Sequence, residues 1–528
     1  MSKIWLLMLS ALVLPCAVGV ASAQQQAQNQ PAPNQPSQNQ PADDDPQAAA
    51  DLELVLAIER VVARSIQRAE KSVVSIARRS ALGRDEQANR DTRPPDRFGD
   101  PRGIGVPRPV GPGDPDFVPN EFATGVVVDR DGLVLTNIHV LGDELTDEYW
   151  VTTAQGRSFH MRIKATDPRS DLAVLEVIAP QPNADDFAPI RFGDGAKLRK
   201  GQFVVALGNP YAIARDGQVS ASWGIVANLS RKAAPPTTED AARESPKTLH
   251  QFGTLIQTDA RLNLGTSGGA LVDLRGDMVG LTTSQAALAG FEQSAGYAIA
   301  VDDTFLRAVE TLKQGREVEY GLLGIEPFNF VDSRGRHVGA LVAGLRSGWP
   351  AHRAGINNGD VVTHVDGHPI HDADGLRLQI GRLPAAATAT LTLVRDGQPF
   401  QKRVTLSKFP VDKRRIVTRR PPAWRGLRVE YPTALDLTGG MNLVEPQLRF
   451  NRGGFPGTYV TVTEVESESP AAKAGLRPGA SISHAAGTPL ETPDDFRRAV
   501  ADKSGPVKIS VVKSTGEIEV VTIAPEEP

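Results

Sequence analysis

The sequence predicts a mainly β protein, a β-barrel body followed by two copies of one small α+β module, and three observations carry that expectation. Short apolar runs rich in β-branched residues, among them 124–128, 133–136, 172–177, 203–207 and 278–282, follow one another between Gly, Asp and Pro. The C-terminal part repeats itself: Ser347, Pro350, Ala351, Ala354, Gly355 and Gly359 return 120 positions later as Ser467, Pro470, Ala471, Ala474, Gly475 and Gly479. Each set is followed by a helical stretch and two strands. The length, 528 residues, exceeds what one compact module uses, at roughly 150 residues per domain.

Composition narrows the class. Hydrophobic residues make 40% and charged residues 23% of the chain, ordinary for a globular protein, and no Gly-X-Y period accompanies the 49 glycines, which excludes collagen. With 58 Lys+Arg against 62 Asp+Glu the net charge is −4, so the chain lacks the positive excess that a phosphate backbone demands and no nucleic-acid partner is expected.

Taken in order, Lys3 precedes an apolar stretch over 4–20 that closes in Ala21-Ser22-Ala23, the layout of a cleavable secretory signal. Residues 1–23 are therefore read as a signal peptide and the mature protein as periplasmic or otherwise extracytoplasmic. The same stretch just reaches membrane-spanning length, but Ser10, Pro15 and the small-residue end favour cleavage, leaving no stable membrane insertion. Cys16, the single cysteine, falls in the discarded segment, so no disulfide or catalytic thiol is expected. Residues 24–50 are a Gln/Asn/Pro-rich disordered linker. Leu54, Ile58, Val61, Val62, Ile66 and Ala69 then recur at helical spacing after Asp51 as the cap, and 72–77 reads as a strand. The Pro/Gly-rich segment 78–120 is too long for a simple connection and reads as a regulatory loop. Asp129-Arg130-Asp131-Gly132 opens like a calcium loop but lacks the later ligands, so it is read as a hairpin turn.

Chemistry concentrates at Asn263-Leu264-Gly265-Thr266-Ser267-Gly268-Gly269. A serine among glycines offers a nucleophile, and backbone amides at Gly265 and Ser267 that converge on one point make an oxyanion hole. On this segment alone a plain Gly-rich turn reads as well; a phosphate loop is excluded because no Gly-Lys-Ser/Thr follows. A serine needs a base, usually a histidine oriented by a carboxylate. His160 lies inside a strand pattern, and His250 borders a Pro/Thr/Glu-rich insertion at 232–248. His139 ends an apolar strand, where a barrel presents it at a rim. Asp171 stands at the mouth of the next buried strand, while Asp167, before Pro168, reads better as a turn former. The order His139, Asp171, Ser267 is that of the trypsin-type double β-barrel.

These residues are familiar. Thr136-Asn137-Ile138-His139-Val140, Ser170-Asp171-Leu172-Ala173-Val174-Leu175, Gly208-Asn209-Pro210, and Gln257-Thr258-Asp259-Ala260 leading into Gly265-Thr266-Ser267-Gly268-Gly269 together resemble the HtrA/Deg family of serine proteases, from about residue 121 to the C-terminus. The resemblance implies His139 as general base, Asp171 as its orienter, Ser267 as nucleophile, and an oxyanion hole at Gly265, Thr266 and Ser267. It also implies an ATP-independent endopeptidase that degrades unfolded polypeptides, exported from the cytoplasm and assembled from trimers. A non-proteolytic PDZ scaffold or holdase is the alternative. Pro is usual in the family where Leu264 and Ala270 stand, and Asn where Thr266 stands. The fold class is then a trypsin-like double β-barrel, over 51–316, followed by two α+β PDZ modules, 320–407 and a divergent 424–525.

In the first module Leu323-Gly324-Ile325 fits the loop that holds a peptide's terminal carboxylate, with Leu376 and Ile380 lining the groove. The corresponding stretch of the second module is read as Leu427-Arg428-Val429, with Arg428 in place of the glycine. Between them, 408–423 with Arg425 collects Lys408, Lys413, Arg414, Arg415, Arg419 and Arg420 around Pro421-Pro422, read as a solvated basic hinge. His364, His368, His371 and Asp374 have metal-like spacing but fall in a turn and helix start, so no metal is assigned and no cofactor is expected.

Overall fold

The computed structural model describes residues 46–79, 121–143, 146–209, 217–233, 248–283, 296–411, 415–434, 458–513 and 515–526. The segment expected as a signal peptide, most of the expected linker, and residues 80–120, 234–247 and 435–457 lie outside the described residues.

Helix α1 is Pro46–Ala69, so it begins before Asp51, which accepts instead from Gln47 one turn back within the helix at 3.0 Å. Proline is pre-set for a first helical position, and Ala48 to Ala50 carry the highest helix propensity, which outweighs the capping tendency of Asp51. No helix among the described residues is long and apolar enough to cross a membrane.

Twelve strands then build two closed antiparallel barrels. The first holds β1 Val73–Arg79, β2 Glu121–Val127, β3 Val134–Asn137, β4 Glu148–Thr152, β5 Ser158–Asp167 and β6 Leu172–Ala179, in the order β1-β2-β3-β6-β5-β4. The second holds β7 Phe203–Gly208, β8 Ser220–Arg231, β9 Leu255–Thr258, β10 Ala270–Val272, β11 Met278–Thr283 and β12 Gly296–Ala300, in the order β10-β11-β12-β9-β8-β7. The 129–132 turn joins β2 to β3 as a hairpin, with Val128 N–H donating to Leu133 O at 2.9 Å and Gly132 at φ +83°.

Each barrel has its own filling: Val74, Val134, Phe159 and Leu175 in the first, and Val204, Val226, Ile256 and Leu271 in the second. A third cluster lies between them and joins Val126, Leu135 and Leu172 to Leu207, Ala270 and Leu281, with Phe305 and Leu312 of helix α2, Asp303–Lys313, packed on it. Strands at this seam are buried on both faces; β3, β10 and β11 have no exposed residue. Such strands read as continuous apolar runs rather than alternating ones.

The first module is a sheet in the order Ile325–Val331, His337–Leu345, Val361–Val365, Thr388–Arg395, Gln398–Thr405, with helices α3 Pro350–Arg353 and α4 Ala373–Arg382. The second repeats it with Leu427–Glu430, Val460–Val465, Ser481–Ala485, Val507–Val512 and Ile518–Ile523, and helices α5 Pro470–Lys473 and α6 Pro493–Val500. Strand register corrects the reading of the second loop. Ile325 pairs with Leu345, and Leu427 pairs with Val465, which is Leu345 plus 120. Ala351 donates to Leu323 O, and Ala471 to Arg425 O. The counterpart of Leu323-Gly324-Ile325 is therefore Arg425-Gly426-Leu427, two residues before Leu427-Arg428-Val429. Gly426 (φ +76°) matches Gly324 (φ +82°), and no arginine displaces the glycine.

Much of the described part of the basic connection is packed rather than solvated, and only 418–422 keep exposed side chains throughout. Thr166 and Ile416 exchange bonds at 2.9 Å, Ala165 bridges to Val417, and Arg419 N–H donates to Gly315 O, so the segment lies against β5. Arg425 is buried and donates to the carbonyls of Ile523, Lys503 and Gly505. Lys408 has a side chain only 3% exposed and pairs with Glu317 at 2.9 Å and with Glu319 and Glu430 at 3.2 Å. Burial pushes its ammonium down, but the three carboxylates outweigh that and hold it above its usual range.

One cation thus ties the segment before the first module to the first strand of the second. Removing it leaves half-buried carboxylates facing one another. Lys408→Met is expected to cost about 3 kcal/mol and to open the junction to limited proteolysis by an added protease. Unchanged cleavage and an unchanged denaturation midpoint would count against this role.

Candidate active site

β3 and β6 are direct neighbours with Asn137 opposite Leu172. The residues just after β3 and just before β6 therefore meet at one rim. His139 sits on the single 3-10 turn Ile138–Val140 that follows β3. Asp171 precedes β6 with φ +56°, a left-handed conformation that aspartate tolerates better than most side chains. Its carbonyl accepts from Ile138 N–H at 3.1 Å and from Asn137 Nδ2 at 3.2 Å.

The Asp171 carboxylate is buried. It accepts from His139 N–H at 3.1 Å through Oδ1, and its Oδ2 lies 2.7 Å from His139 Nδ1. That contact puts the imidazole proton on Nδ1 and the basic lone pair on Nε2. Burial lowers the His139 pKa, but the charge and hydrogen bond of Asp171 outweigh it, and the net shift is upward from 6.5.

Ser267 comes from the other barrel, on the loop before β10. A turn over 263–266 precedes it, closed by Thr266 N–H to Asn263 O at 3.1 Å, with Gly265 at φ +92°. A positive φ at the third position makes this a type II turn and calls for glycine there. Because the Thr266 amide and hydroxyl both donate to Asn263 O, at 3.1 and 2.7 Å, Thr266 is not an oxyanion donor in this conformation. Gly268 is a second obligatory glycine: with φ +84°, a Cβ there would lie 2.1 Å from Thr124 O and 2.3 Å from Thr136 Oγ1. The strand that carries Ser267's neighbours is thus pressed against the strands that lead to His139.

The two other barrel histidines have different surroundings. His160 stacks on Trp150, with ring centroids 4.7 Å apart. His250 is buried behind the acid, its Nε2–H donating to Ser170 O at 2.8 Å and its Nδ1 accepting from the Thr254 hydroxyl at 2.6 Å; burial pushes its pKa down and keeps it neutral.

Asp167 is more than a turn former. It is buried, and its carboxylate receives the hydroxyls of Ser170 and of Tyr320, a residue at the start of the first module. Nothing in the sequence pairs positions 167 and 320. Thr124, in a predicted strand, and Asn209, in the Gly208-Asn209-Pro210 motif, carry no role of their own in the sequence, and both bond across the barrel seam.

In the first module Leu323 is 4% exposed, Leu376 2% and Ile380 6%, all within the module's core, while Ile325 is half-buried. Arg377 reaches from α4 to Pro327 O at 3.1 Å, spanning the space between helix and strand. A Cβ on Gly324 would lie 2.7 Å from Trp349. Among the described residues His364, His368 and His371 do not bring ligand atoms together. The acidic group that does converge is Glu317, Glu319 and Glu430, and the Lys408 ammonium is bound to all three.

Burial raises the Asp167 carboxyl from 3.8 to about 6, against the bonds from Ser170 and Tyr320 that lower it. Between those values the folded chain holds a proton that the unfolded chain has released, so this group makes stability fall as pH rises through the window and level off above it. Asp167→Asn removes the titration. The unfolding free energy of the variant should therefore gain on that of the natural chain by up to about 3 kcal/mol between pH ~4 and pH ~6; parallel pH curves for the two proteins would refute the assignment.

Comparison with known proteins fits this geometry. A model of the trypsin-like peptidase domain matches residues 123–281, and two PDZ-domain models match 321–406 and 461–513. A probable periplasmic serine endoprotease, DegP-like, from Brucella suis is 32% identical over 391 residues, covering 72% of this chain and 69% of the relative. The periplasmic serine endoprotease DegP of Escherichia coli is 29% identical over 404 residues and covers 75% of each. Among solved structures, the HtrA-type protease AlgW with a decapeptide matches at 23% identity and a TM-score of 0.46, covering 68% of this chain and 99% of that one. With a two-barrel peptidase unit, two PDZ domains and a DegP-like relative across most of its length, the chain belongs to the DegP/HtrA family of serine endoproteases.

Proposed function

We propose that His139, Asp171 and Ser267 carry the peptidase reaction of this chain. The observation that supports this best is the 2.7 Å contact between His139 Nδ1 and Asp171 Oδ2, made by a buried carboxylate whose backbone is bonded in place by Asn137 and Ile138. In this reading Ser267 Oγ adds to the scissile carbonyl as its proton passes to His139 Nε2, and the amides of Gly265 and Ser267 receive the oxyanion. The C–N bond breaks as Nε2 gives that proton to the leaving amine. Water then attacks the acyl ester, losing a proton to Nε2, which is returned to Ser267 Oγ as the acid product leaves. Asp171 stays ionised throughout and stabilises the imidazolium.

The proposal extends to an extracytoplasmic, ATP-independent protease that removes unfolded polypeptides, with a protease unit ending near residue 316, PDZ modules over 320–407 and 424–525, and a trimer-based assembly. The periplasmic naming of the relatives and the export-type N-terminal sequence support the compartment. The first module, through Leu323-Gly324-Ile325, is proposed to take apolar C-terminal peptides. At Gly324, φ +82° and the Trp349 side chain where a Cβ would stand leave room for glycine alone. The register correction gives the second module the same permissive glycine, Gly426.

Ser267→Ala and His139→Ala should each abolish casein degradation and fluorophosphonate labelling while leaving the folded signal intact, because the triad acts as one unit. Full proteolysis by Ser267→Ala would end the assignment. Since the base must be neutral to work and Asp171 raises its pKa, the acid limb of kcat/KM should lie above 6.5. A limb at or below that value would contradict the Asp171 contact in solution. Apolar C-terminal peptides should bind the full-length Ser267→Ala protein, and binding should weaken at least about tenfold in Gly324→Val, whose side chain meets Trp349; equal affinity would place the site elsewhere.

A further inference from the structure

Thr124 lies in β2 of the first barrel, fully buried, and two of its hydrogen bonds reach the loop of the second that carries Ser267. Its N–H donates to Ser267 O at 3.0 Å. Its carbonyl accepts from Thr136 Oγ1 at 2.8 Å, one strand over and three residues before His139. Its hydroxyl donates to Gly265 O at 2.7 Å and accepts from Asn209 N–H at 2.9 Å. With its single hydrogen spent on Gly265, the hydroxyl takes the Asn209 donor on a lone pair, so both roles are compatible. Asn209 is itself pinned to the first barrel through Nδ2 to Ser75 Oγ at 2.8 Å.

The bond to Gly265 O falls on the turn that decides whether an oxyanion hole exists. A type II turn over 263–266 has an alternative, type I, in which the Leu264–Gly265 peptide is rotated by about 180° and the Gly265 N–H faces the other way. Both turns hold the second position at φ about −60°, so Leu264, 74% exposed, does not choose between them. That rotation leaves the Gly265–Thr266 peptide, and so the Gly265 carbonyl, in place, and φ +92° at Gly265 marks the type II form. We propose that Thr124 is a positioning residue for acyl transfer: its hydroxyl holds the Gly265 carbonyl and its amide holds the Ser267 carbonyl, so the turn that presents the Gly265 amide to the developing oxyanion is fixed against the barrel that carries His139. This rests on the reading of Ser267 as nucleophile and names the group that keeps its site assembled. The same hydroxyl, through Asn209, couples that turn to the end of β7.

The test compares the natural chain with Thr124→Val, which keeps the shape and removes the hydroxyl, Thr124→Ser, which restores it, and Ser267→Ala. Steady-state kinetics on one peptide substrate, the rate of fluorophosphonate labelling and the thermal midpoint are measured for each. Loss of an oxyanion donor costs about a hundredfold in turnover, so Thr124→Val should lose about that factor in kcat and in labelling rate with KM nearly unchanged, and Thr124→Ser should recover most of both. If Thr124→Val does not fold, Thr124→Ala breaks the same bond with a smaller side chain. Unchanged kcat in the hydroxyl-less variant, a loss confined to KM, or a Thr124→Ser protein as impaired as Thr124→Val would each overturn the proposal. Residual turnover in Ser267→Ala would instead overturn the nucleophile assignment, whatever the Thr124 variants do.

Discussion

The candidate acid and base belong to one barrel and the candidate nucleophile to another, so the site exists only where two separately closed sheets are held in fixed register. The seam between them meets that demand in two ways. Its apolar part is dry and filled from both sides, Leu135 and Leu172 against Leu207, Ala270 and Leu281, backed by Phe305 of α2. Close packing of this kind resists sliding because every small shift opens voids. Its polar part is short and hydrogen-bonded: Thr124 to Ser267 and Gly265, Asn209 to Thr124 and Ser75. An unpaired group here would cost more than the bond returns, so these contacts also exclude other registers.

Backbone strain collects where those constraints meet. Asp171 is held left-handed by its carbonyl's bonds to Asn137 and Ile138, while Gly265 and Gly268 occupy conformations no other residue adopts without clash or cost. Such positions persist only when their surroundings over-determine them. At Asp171 the surroundings extend further than the rim, through His250 to Ser170 O and from Ser170 to Asp167.

The C-terminal half uses similar physics for a different end. Tyr320 carries its hydroxyl from the start of the first module to Asp167, and Lys408 gathers Glu317, Glu319 and Glu430 from two stretches of chain. A buried ion pair of this type adds little to stability over an apolar core, but removing one partner is costly, which makes it a device for fixing an arrangement. The modules are therefore tied to the protease unit by directional contacts.

Much of this was legible from local pattern. His139 after an apolar strand, Asp171 before one and Ser267 among glycines, the proposed base, its orienter and the proposed nucleophile, are each marked by residues within a few positions, because strand ends and tight turns impose demands on adjacent residues. The repeat at 120 was equally plain, since two copies of one module bury the same positions. What only the folded chain decided depends on long separations. Thr124 is 141 residues from Gly265, and Tyr320 is 153 from Asp167; a buried threonine or tyrosine in a strand looks the same whether or not it meets such a partner. The loop of the second module was misplaced by two residues, a slip that strand periodicity cannot detect because it returns every side chain to its original face. The basic connection was misread for a related reason. Composition records charge and not its counter-charge, and the carboxylates around Lys408 lie as far as 91 residues before it, as 408 minus 317 gives, and 22 after it at Glu430.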